Sequence, residues 1–245
     1  MVRVLQTTWL ALAALLVSGC ALVEDKAPDY RYRLTVEVET PEGVKTGSSV
    51  IQVEQSLGGA ASAGGLAGRQ IYYKFRGEAV AVDLPGGKTL FALPRSSNDV
   101  DWAARVMQML APKIQGEPWA ESFDNVLLIK GVVEVPRMWP ANATLPERSA
   151  FPLLVTFGDI AEPASVELVD PDDLAATFGE GVKLRRITVE LTDDPVTTGI
   201  ERRLVWMSAY RAKWFNRTST IYEDLTTEDL SAHLSAGSFS TDYAK

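Results

Sequence analysis

The sequence predicts an α+β fold, made mainly of antiparallel sheet with a few short helices. Apolar and polar residues alternate from Tyr30 to Glu39, which is the period-two pattern of a strand with one buried face. Turns that contain Pro and Gly separate this stretch from further strand-like segments. The stretches with helical periodicity are short and end at Pro or Gly. Together these patterns favour a sheet-dominated fold.

The composition is that of a globular protein with a substantial core. The chain has 245 residues, of which 46% are hydrophobic and 23% charged, and its formal net charge is −8. These values exclude disorder and collagen-like repeats, and the acidic balance disfavours nucleic acid as a partner. A single cysteine and a single histidine exclude an intrachain disulfide and a multi-histidine metal site. We therefore expect no cofactor and no metal.

A second strand and a loop are predicted after the first strand. Residues 40–43 form a turn, because Pro presets φ and Gly tolerates positive φ. The second strand covers about 44–54, and a change of phase at 47–49 predicts a bulge. Residues 57–68 are small and low in complexity, which predicts a mobile loop.

Further strands are predicted where apolar residues alternate or cluster between turn signals. A third strand covers 71–84, interrupted at Gly77, and a turn follows at 85–87. The remaining predicted strands are 89–93, 126–135, 151–157, 164–169 and 182–192. In the last of these the phase changes at Arg185-Arg186, which predicts a second bulge.

Helices are predicted where a capping residue precedes a stretch with helical periodicity. Val100 and Met107 belong to the apolar stripe of the first predicted helix. The first predicted helix covers 100–110, follows a cap at Asn98 or Asp99 and ends before Pro112. A single helical turn is predicted at 119–124, and a short helix lies between Asp170 and Gly179, with Gly181 beyond it. The last predicted helix runs from Thr226 or Thr227 to Leu234. Residues 197–217 fit either helix or strand, and the tail after Gly237 is predicted to fray. We expect residues 30–245 to form one domain.

The N-terminal residues have the features of a secretory signal. Arg3 is the only charge before Glu24, and the uncharged stretch 5–23 between them is rich in Leu and Ala. Such a positive start followed by an apolar core is typical of exported proteins.

The signal ends in Val17-Ser18-Gly19-Cys20, which resembles the lipobox of bacterial lipoproteins. This resemblance implies that residues 1–19 are removed as a signal peptide. It also implies that Cys20 receives a diacylglycerol thioether and an amide-linked acyl chain such as palmitate. Residues 20–29 would form a tether, and several acyl chains would hold the protein durably at a membrane.

Two other interpretations of this segment stay open. Residues 5–23 are 19 uncharged residues, close to the roughly 20 that span a bilayer, so they could form an uncleaved anchor. Alternatively, Cys20 is an ordinary cysteine beside the signal of a soluble secreted protein. In the lipoprotein class, Asp after the cysteine favours retention at the inner membrane. Here that residue is Ala21, so the resemblance implies the outer membrane, with the protein facing the periplasm.

A wider resemblance covers about a quarter of the chain. The tracts 31–56 and 169–204 resemble parts of a family of uncharacterised bacterial proteins. No activity comes with this resemblance, and it implies no catalytic or binding residue.

Catalytic residues are sparse in the sequence. A nucleophilic triad usually needs a histidine, and His233 on the last predicted helix fits better as a half-buried or solvent-facing residue. Carboxylate pairs for glycoside hydrolysis remain, and the candidates are Asp99/Asp101, Asp170/Asp172/Asp173 and Asp193/Asp194. Each of these also fits a helix cap or a turn. The cluster at 170–173 lacks the spacing of a calcium-binding loop.

A basic and aromatic tract near the C-terminus runs against the acidic balance of the chain. The candidate binding surface consists of Arg202, Arg203, Trp206, Tyr210, Arg211 and Trp214. Aromatic faces beside cations suit sugar rings, anionic polymers or a partner protein. In the competing interpretation, which we favour, the aromatic residues are core residues at helical spacing and the basic residues line the solvated face.

These features predict a lipid-anchored cell-envelope protein with a non-enzymatic role in binding or assembly. Its expected partners are the membrane, through the N-terminal lipid, and an envelope protein or polymer. The alternative is an envelope glycan or peptide hydrolase that uses a carboxylate pair. A cleft with two inward carboxylates at the separation found in glycosidases would favour the hydrolase.

Overall fold

The computed structural model describes residues 27–58, 70–143, 145–210, 215 and 227–243. Here the predicted α+β class is confirmed, with mainly antiparallel sheet and short helices. The strands are β1 (Tyr30–Thr40), β2 (Gly43–Gly58), β3 (Gln70–Arg76), β4 (Val80–Asp83), β5 (Thr89–Ala92), β6 (Val133–Glu134), β7 (Met138–Trp139), β8 (Arg148–Ser149), β9 (Leu154–Phe157), β10 (Val166–Leu168) and β11 (Lys183–Leu191). The helices are α1 (Trp102–Leu110), α2 (Leu174–Phe178) and α3 (Thr227–His233), and the longest 3₁₀ segment is Glu121–Leu128.

Several sequence predictions concern residues outside the described ranges. They are the signal peptide, Cys20, most of the loop at 57–68, Arg211 and Trp214. No helix among the described residues is long and apolar enough to cross a membrane.

The larger sheet is built around β1, in the order β3-β2-β1-β11-β6. Alternate β1 side chains, including Tyr32, Leu34 and Val36, are fully buried, while the charged residues between them face outward. This confirms the period-two prediction. The β1–β2 hairpin turns at Gly43, whose φ of 108° needs a residue without a side chain.

The predicted bulge in β2 is wrong, because β2 pairs with β1 in unbroken register from Gly43 to Val53. The alternation of apolar and polar residues along β2 changes phase for another reason. Val44 is exposed near the hairpin end of β2, and a side chain at Gly47 would collide with the carbonyl of Ala81 on β4. Gly47 therefore permits a close approach between the two sheets instead of marking an extra residue.

The predicted bulge in β11 is confirmed. Glu37 pairs with Arg186 and Val38 with Leu184, so Arg185 is the extra residue. Both arginines reach one carboxylate. Arg186 Nη2 lies 2.6 Å from Glu37 Oε1, and Arg185 Nη1 lies 3.4 Å from Glu37 Oε2.

A second sheet has the order β10-β9-β5-β4. The predicted third strand at 71–84 is therefore wrong as one element, because β3 belongs to the larger sheet and β4 to the second. The chain changes sheets between Gly77 and Ala79. The strands predicted at 89–93 and 182–192 are confirmed as the slightly shorter β5 and β11, and those predicted at 151–157 and 164–169 are confirmed as β9 and β10, at about half the predicted length.

The segment predicted as a central strand at 126–135 is not one strand: it begins with the end of the 3₁₀ helix Glu121–Leu128, continues without regular structure and ends at the two-residue β6. Phe123, Val126 and Ile129 are buried at a spacing of three, which matches the period of a 3₁₀ helix and not that of a strand. Leu127 and Leu128 between them are exposed. Only the short β6 pairs, at the edge of the larger sheet.

The predicted helices are found with shifted ends. Helix α1 begins at Trp102, so Val100 is exposed instead of contributing to the apolar stripe, and it ends before Pro112. Helix α2 is capped by Asp173, whose carboxylate accepts from Ala176 N at 3.2 Å. Gly179 follows it as predicted, with a φ of 102°.

The last helix, α3, is confirmed, but the predicted fraying after Gly237 is wrong. Phe239 is fully buried, and its carbonyl accepts from Ala79 N at 2.7 Å. Ser240 pairs with Glu78 in an isolated bridge. The burial of Phe239 and these backbone contacts thus hold the C-terminal segment against the start of β4.

Candidate functional site

The ambiguous segment at 197–217 is neither an α-helix nor a strand in its described part. A 3₁₀ turn covers Ile200–Arg202, and further turns follow up to Tyr210. Ile200 and Leu204 are buried and anchor this segment on the second sheet. The segment therefore lies over β4 as a series of turns.

Trp206 is a core residue. Its side chain is almost fully buried, and its ring packs edge-on against Phe157, Phe215 and Phe239 at centroid distances of 4.9–5.9 Å. The indole Nε1 donates to the Ile160 carbonyl at 2.9 Å. Trp206 therefore stabilises the second core, as the favoured interpretation of the tract expected for it.

Tyr210 is half-buried at the edge of the same cluster, 5.9 Å from the Trp206 ring and 5.7 Å from the Phe215 ring. Its position next to the surface leaves part of the ring open to solvent. Arg211 and Trp214 lie outside the described residues, so their place beside Tyr210 stays a prediction.

The two arginines at the start of the tract differ in their contacts. Arg203 forms a bidentate ion pair with Asp83, with N–O distances of 2.6 and 2.8 Å. The hydrogen bonds from Arg203 hold the pKa of the Asp83 carboxyl below its usual range. Both arginines are exposed, and because Asp83 engages Arg203, Arg202 is the more available of the two cations for a ligand.

A buried carboxylate, Glu78, positions the tract. Its side chain is 6% exposed, and Oε2 accepts from Ile200 N at 2.9 Å. Burial raises the pKa of Glu78, although hydrogen bonds from the backbone at Ile200 and Gly199 oppose that effect. Sequence reasoning missed Glu78, since one Glu between two strand-like segments carries no local sign of burial.

The candidate carboxylates take part in turns and ion pairs. Asp99 accepts from Asp101 N at 3.0 Å and lies 3.2 Å from Arg105 Nη1. Asp170 accepts from Asp172 N at 2.9 Å. Asp173 is the cap of α2 described above.

The remaining carboxylates are exposed. Asp172 binds Arg137 at 2.6 Å, and this contact lowers the pKa of Asp172 and raises that of Arg137. Asp194 pairs with Arg33, and Asp193 lies beside it in the same turn region. These contacts are those of cap, turn and surface ion-pair residues.

A small cleft lies between the start of α1 and the β7–β8 hairpin. Its volume of about 20 Å³ matches the space of one water molecule. Asp99, Arg105, Trp139 and Arg148 are among its lining residues. Nη1 of Arg148 is buried and has no hydrogen-bond partner among the described residues. No local sequence pattern predicts this cleft, because its residues come from three separate segments.

His233 is half-buried at the end of α3, in agreement with the structural role expected for it. Within the described ranges, no group of three or more His, Cys, Asp or Glu residues could hold a metal ion.

Comparison with known proteins places the chain in no established group. No protein-family model matches it, and no curated protein or solved structure is similar enough to count as a match.

Proposed function

We propose that the chain is a lipid-anchored cell-envelope protein whose folded part binds an envelope protein or polymer. The observation that carries this proposal is the sequence Val17-Ser18-Gly19-Cys20 at the end of an apolar stretch that begins after Arg3. Acylation of Cys20 would fix the protein to the membrane, and Ala21 favours the outer membrane, facing the periplasm.

The spacing between the lipid site and the fold supports this arrangement. The described structure begins at Ala27, which is already buried, and β1 begins at Tyr30. Seven residues after Cys20 the chain is thus in contact with the folded protein. An acylated Cys20 would therefore be joined to the fold by a short tether.

A binding role fits the contacts of the ionisable groups better than catalysis does. The candidate carboxylates hold turns, cap α2 or pair with arginines, and Glu78 is committed to the backbone at Ile200. The described part of the tract offers the exposed cation Arg202 and the half-buried ring of Tyr210. Cations and aromatic rings suit anionic or sugar-containing polymers and protein partners.

The anchor is tested by replacing the lipid site. Cys20→Ala should abolish incorporation of labelled palmitate and release the protein from the outer-membrane fraction. Ser18→Ala is the matched control, since it keeps a small residue at that position and should leave both readouts unchanged. A Cys20→Ala protein that still fractionates with the outer membrane contradicts the lipid anchor.

The binding surface is tested by affinity purification from detergent-solubilised envelope. Arg202→Glu combined with Arg211→Glu should lose the partner that the wild-type protein retains. Lys45→Glu combined with Lys74→Glu makes the same change of charge on the larger sheet and should retain it. Equal recovery of the partner with both double variants would exclude the surface at 202–211.

A further inference from the structure

One stretch of the surface carries a high density of exposed apolar side chains. Ile114, Trp119, Leu127, Leu128 and Val132 are each 45–59% exposed and lie within nineteen consecutive residues. We call this surface the 114–132 face. Single exposed apolar residues need no explanation, but a cluster of large ones is typical of an interaction site.

The face is held rigidly by the core beneath it. Phe123, Val126 and Ile129 are buried, so the 3₁₀ helix Glu121–Leu128 turns Leu127 and Leu128 outward. Trp119 packs edge-on against Phe123 at 4.9 Å.

Polar contacts add to this rigidity. The buried Asn125 donates to Glu117 Oε2 at 2.5 Å, which joins the 3₁₀ helix to the preceding loop. The exposed side chains therefore cannot turn inward without breaking the packing and these hydrogen bonds.

The face adjoins the point where the chain enters the fold. Gln55 N donates to Asp29 Oδ1 at 3.2 Å, and Gln108 Nε2 lies 3.4 Å from Gln55 Oε1. The same Gln108 nitrogen donates to the Phe123 carbonyl at 2.9 Å. Three successive contacts thus lead from Asp29 to the 3₁₀ helix that carries the exposed leucines.

The length of the tether limits how far this face can be from the lipid. Nine peptide units separate Cys20 from Asp29, and fully extended they span at most about 30 Å. If Cys20 is acylated, Asp29 at the start of the fold stays within that distance of the bilayer surface, and the face lies three contacts further on.

We propose that the 114–132 face docks onto the lipid surface to which Cys20 is anchored. This inference rests on the proposed lipid anchor. Trp119 would sit at the headgroup boundary, where amphipathic rings are favoured, and the leucines would enter the acyl region.

Burial of apolar surface, and not charge, drives this docking. Glu117, Glu121 and Asp124 outnumber Lys113 and Lys130 around the face, so anionic lipid does not attract it. The association should therefore depend little on salt. The lipid anchor supplies the high local concentration that a small apolar face needs.

The experiment uses the full lipoprotein, purified from envelope and reconstituted into vesicles of phosphatidylethanolamine and phosphatidylglycerol. Some vesicles carry lipids with brominated acyl chains, which quench tryptophan fluorescence on contact. Subtracting the emission of a Trp119→Phe variant isolates the Trp119 contribution. We expect bromination to remove roughly half or more of it, because the ring would lie at the acyl boundary.

A pair of double variants separates docking from damage to the fold. Leu127→Ser combined with Leu128→Ser should restore the Trp119 emission in brominated vesicles. Ile160→Ser combined with Val205→Ser changes two residues that are also exposed, on the side of the second sheet, and should leave the quenching unchanged. All four positions are solvent-exposed, so each variant should fold.

The intact mass of the same sample distinguishes the two possible failures. Acylated protein whose Trp119 emission is unaffected by bromination would overturn the docking face and leave the lipid anchor standing. Protein without acyl groups would overturn the anchor itself, and the docking proposal with it. Quenching that disappears in high salt would contradict burial as the driving force.

Discussion

The two hydrophobic cores of this protein are assembled in different ways. The first core lies under the larger sheet and is mostly aliphatic, with β1, β2 and β11 pairing residue by residue beside α1. The second core is centred on a cluster of aromatic rings that aliphatic residues surround. Phe91, Phe157, Trp206 and Phe239 meet there from four segments that are far apart in sequence.

The first core is therefore positioned mainly by backbone pairing, and the second mainly by contacts between side chains. In the first core, the hydrogen bonds between strands set the register. A single side chain there stabilises strands whose positions the backbone already determines. In the second core, the tract from Ile200 to Tyr210 and the C-terminal segment have no strand partners of comparable length. Ring packing, Glu78 and a few backbone hydrogen bonds such as that from Ala79 N to the Phe239 carbonyl hold them instead, so single substitutions there should have large effects.

The largest effect is expected for Phe239→Ala. This ring is fully buried and contacts Phe91, Phe157 and Trp206, so its loss leaves a cavity that several rings line. We expect the free energy of unfolding to fall by about 3–5 kcal/mol in urea titrations followed by circular dichroism. Val205→Ala truncates a side chain that is 72% exposed and should cost within about 0.5 kcal/mol. Similar values for both would mean that the C-terminal segment frays.

The second-largest loss of stability is expected when the Glu78 carboxylate is removed. Removing its carboxylate in Glu78→Ala leaves the buried Ile200 N–H without its partner, which should cost about 1–3 kcal/mol. Glu78→Gln keeps an acceptor of the same shape and should cost less. Unfolding by urea at neutral pH measures both.

The contribution of Glu78 to the stability of the fold should decrease as pH rises. Because its pKa is raised in the folded state, the folded protein keeps a proton that the unfolded chain has already released. The contribution of Glu78 to stability is therefore complete below the ordinary Glu pKa and is lost as pH rises through the folded pKa. Relative to the wild type, Glu78→Gln should become more stable across this window. A constant difference between the two proteins from about pH 4 to 8 would contradict the raised pKa.

A smaller effect is expected in the first core for Tyr32→Phe. The Tyr32 hydroxyl donates to the Ala103 carbonyl at 2.7 Å, whereas the neighbouring Tyr30 hydroxyl lies 3.4 Å from the Ala104 carbonyl. Loss of the shorter bond should cost about 1 kcal/mol. Tyr30→Phe is the matched control and should cost less. The reverse order would mean that these hydroxyls do not fix α1 on β1.

The smallest effect is expected for the Asp83–Arg203 ion pair. Both side chains are largely exposed, so a double-mutant cycle with Asp83→Asn and Arg203→Met should give a coupling of about 0.2–1 kcal/mol. This coupling should shrink in high salt. A value above that range would mean that the pair is a structural element of the tract at 202–210.

Local patterns allowed much of the first core to be predicted from sequence. The alternation in β1 and the extra residue at Arg185 both follow from side-chain phase, which is a property of neighbouring residues. The change of sheet at Gly77 was not predictable in this way. Strands β3 and β4 have the same local pattern, and only their partners differ.

Predictions failed where a different period or a distant contact decides the structure. The sequence predicts a strand at 126–135 because 126–129 are consecutive apolar residues, whereas burial of Phe123, Val126 and Ile129 follows a period of three. The C-terminal tail was expected to fray because its anchor, Phe239, finds its partners more than twenty residues away. Of the candidate surface, the buried position of Trp206 agrees with the favoured interpretation, while the role of Arg202 stays a prediction.

The central claim is the lipid anchor, and the N-terminal peptide of the protein purified from its own envelope tests it most directly. Mass spectrometry should identify a peptide that begins at Cys20 and carries a diacylglycerol thioether and an amide-linked acyl chain. A mature protein that begins at any other residue, or an unmodified Cys20, would contradict the account.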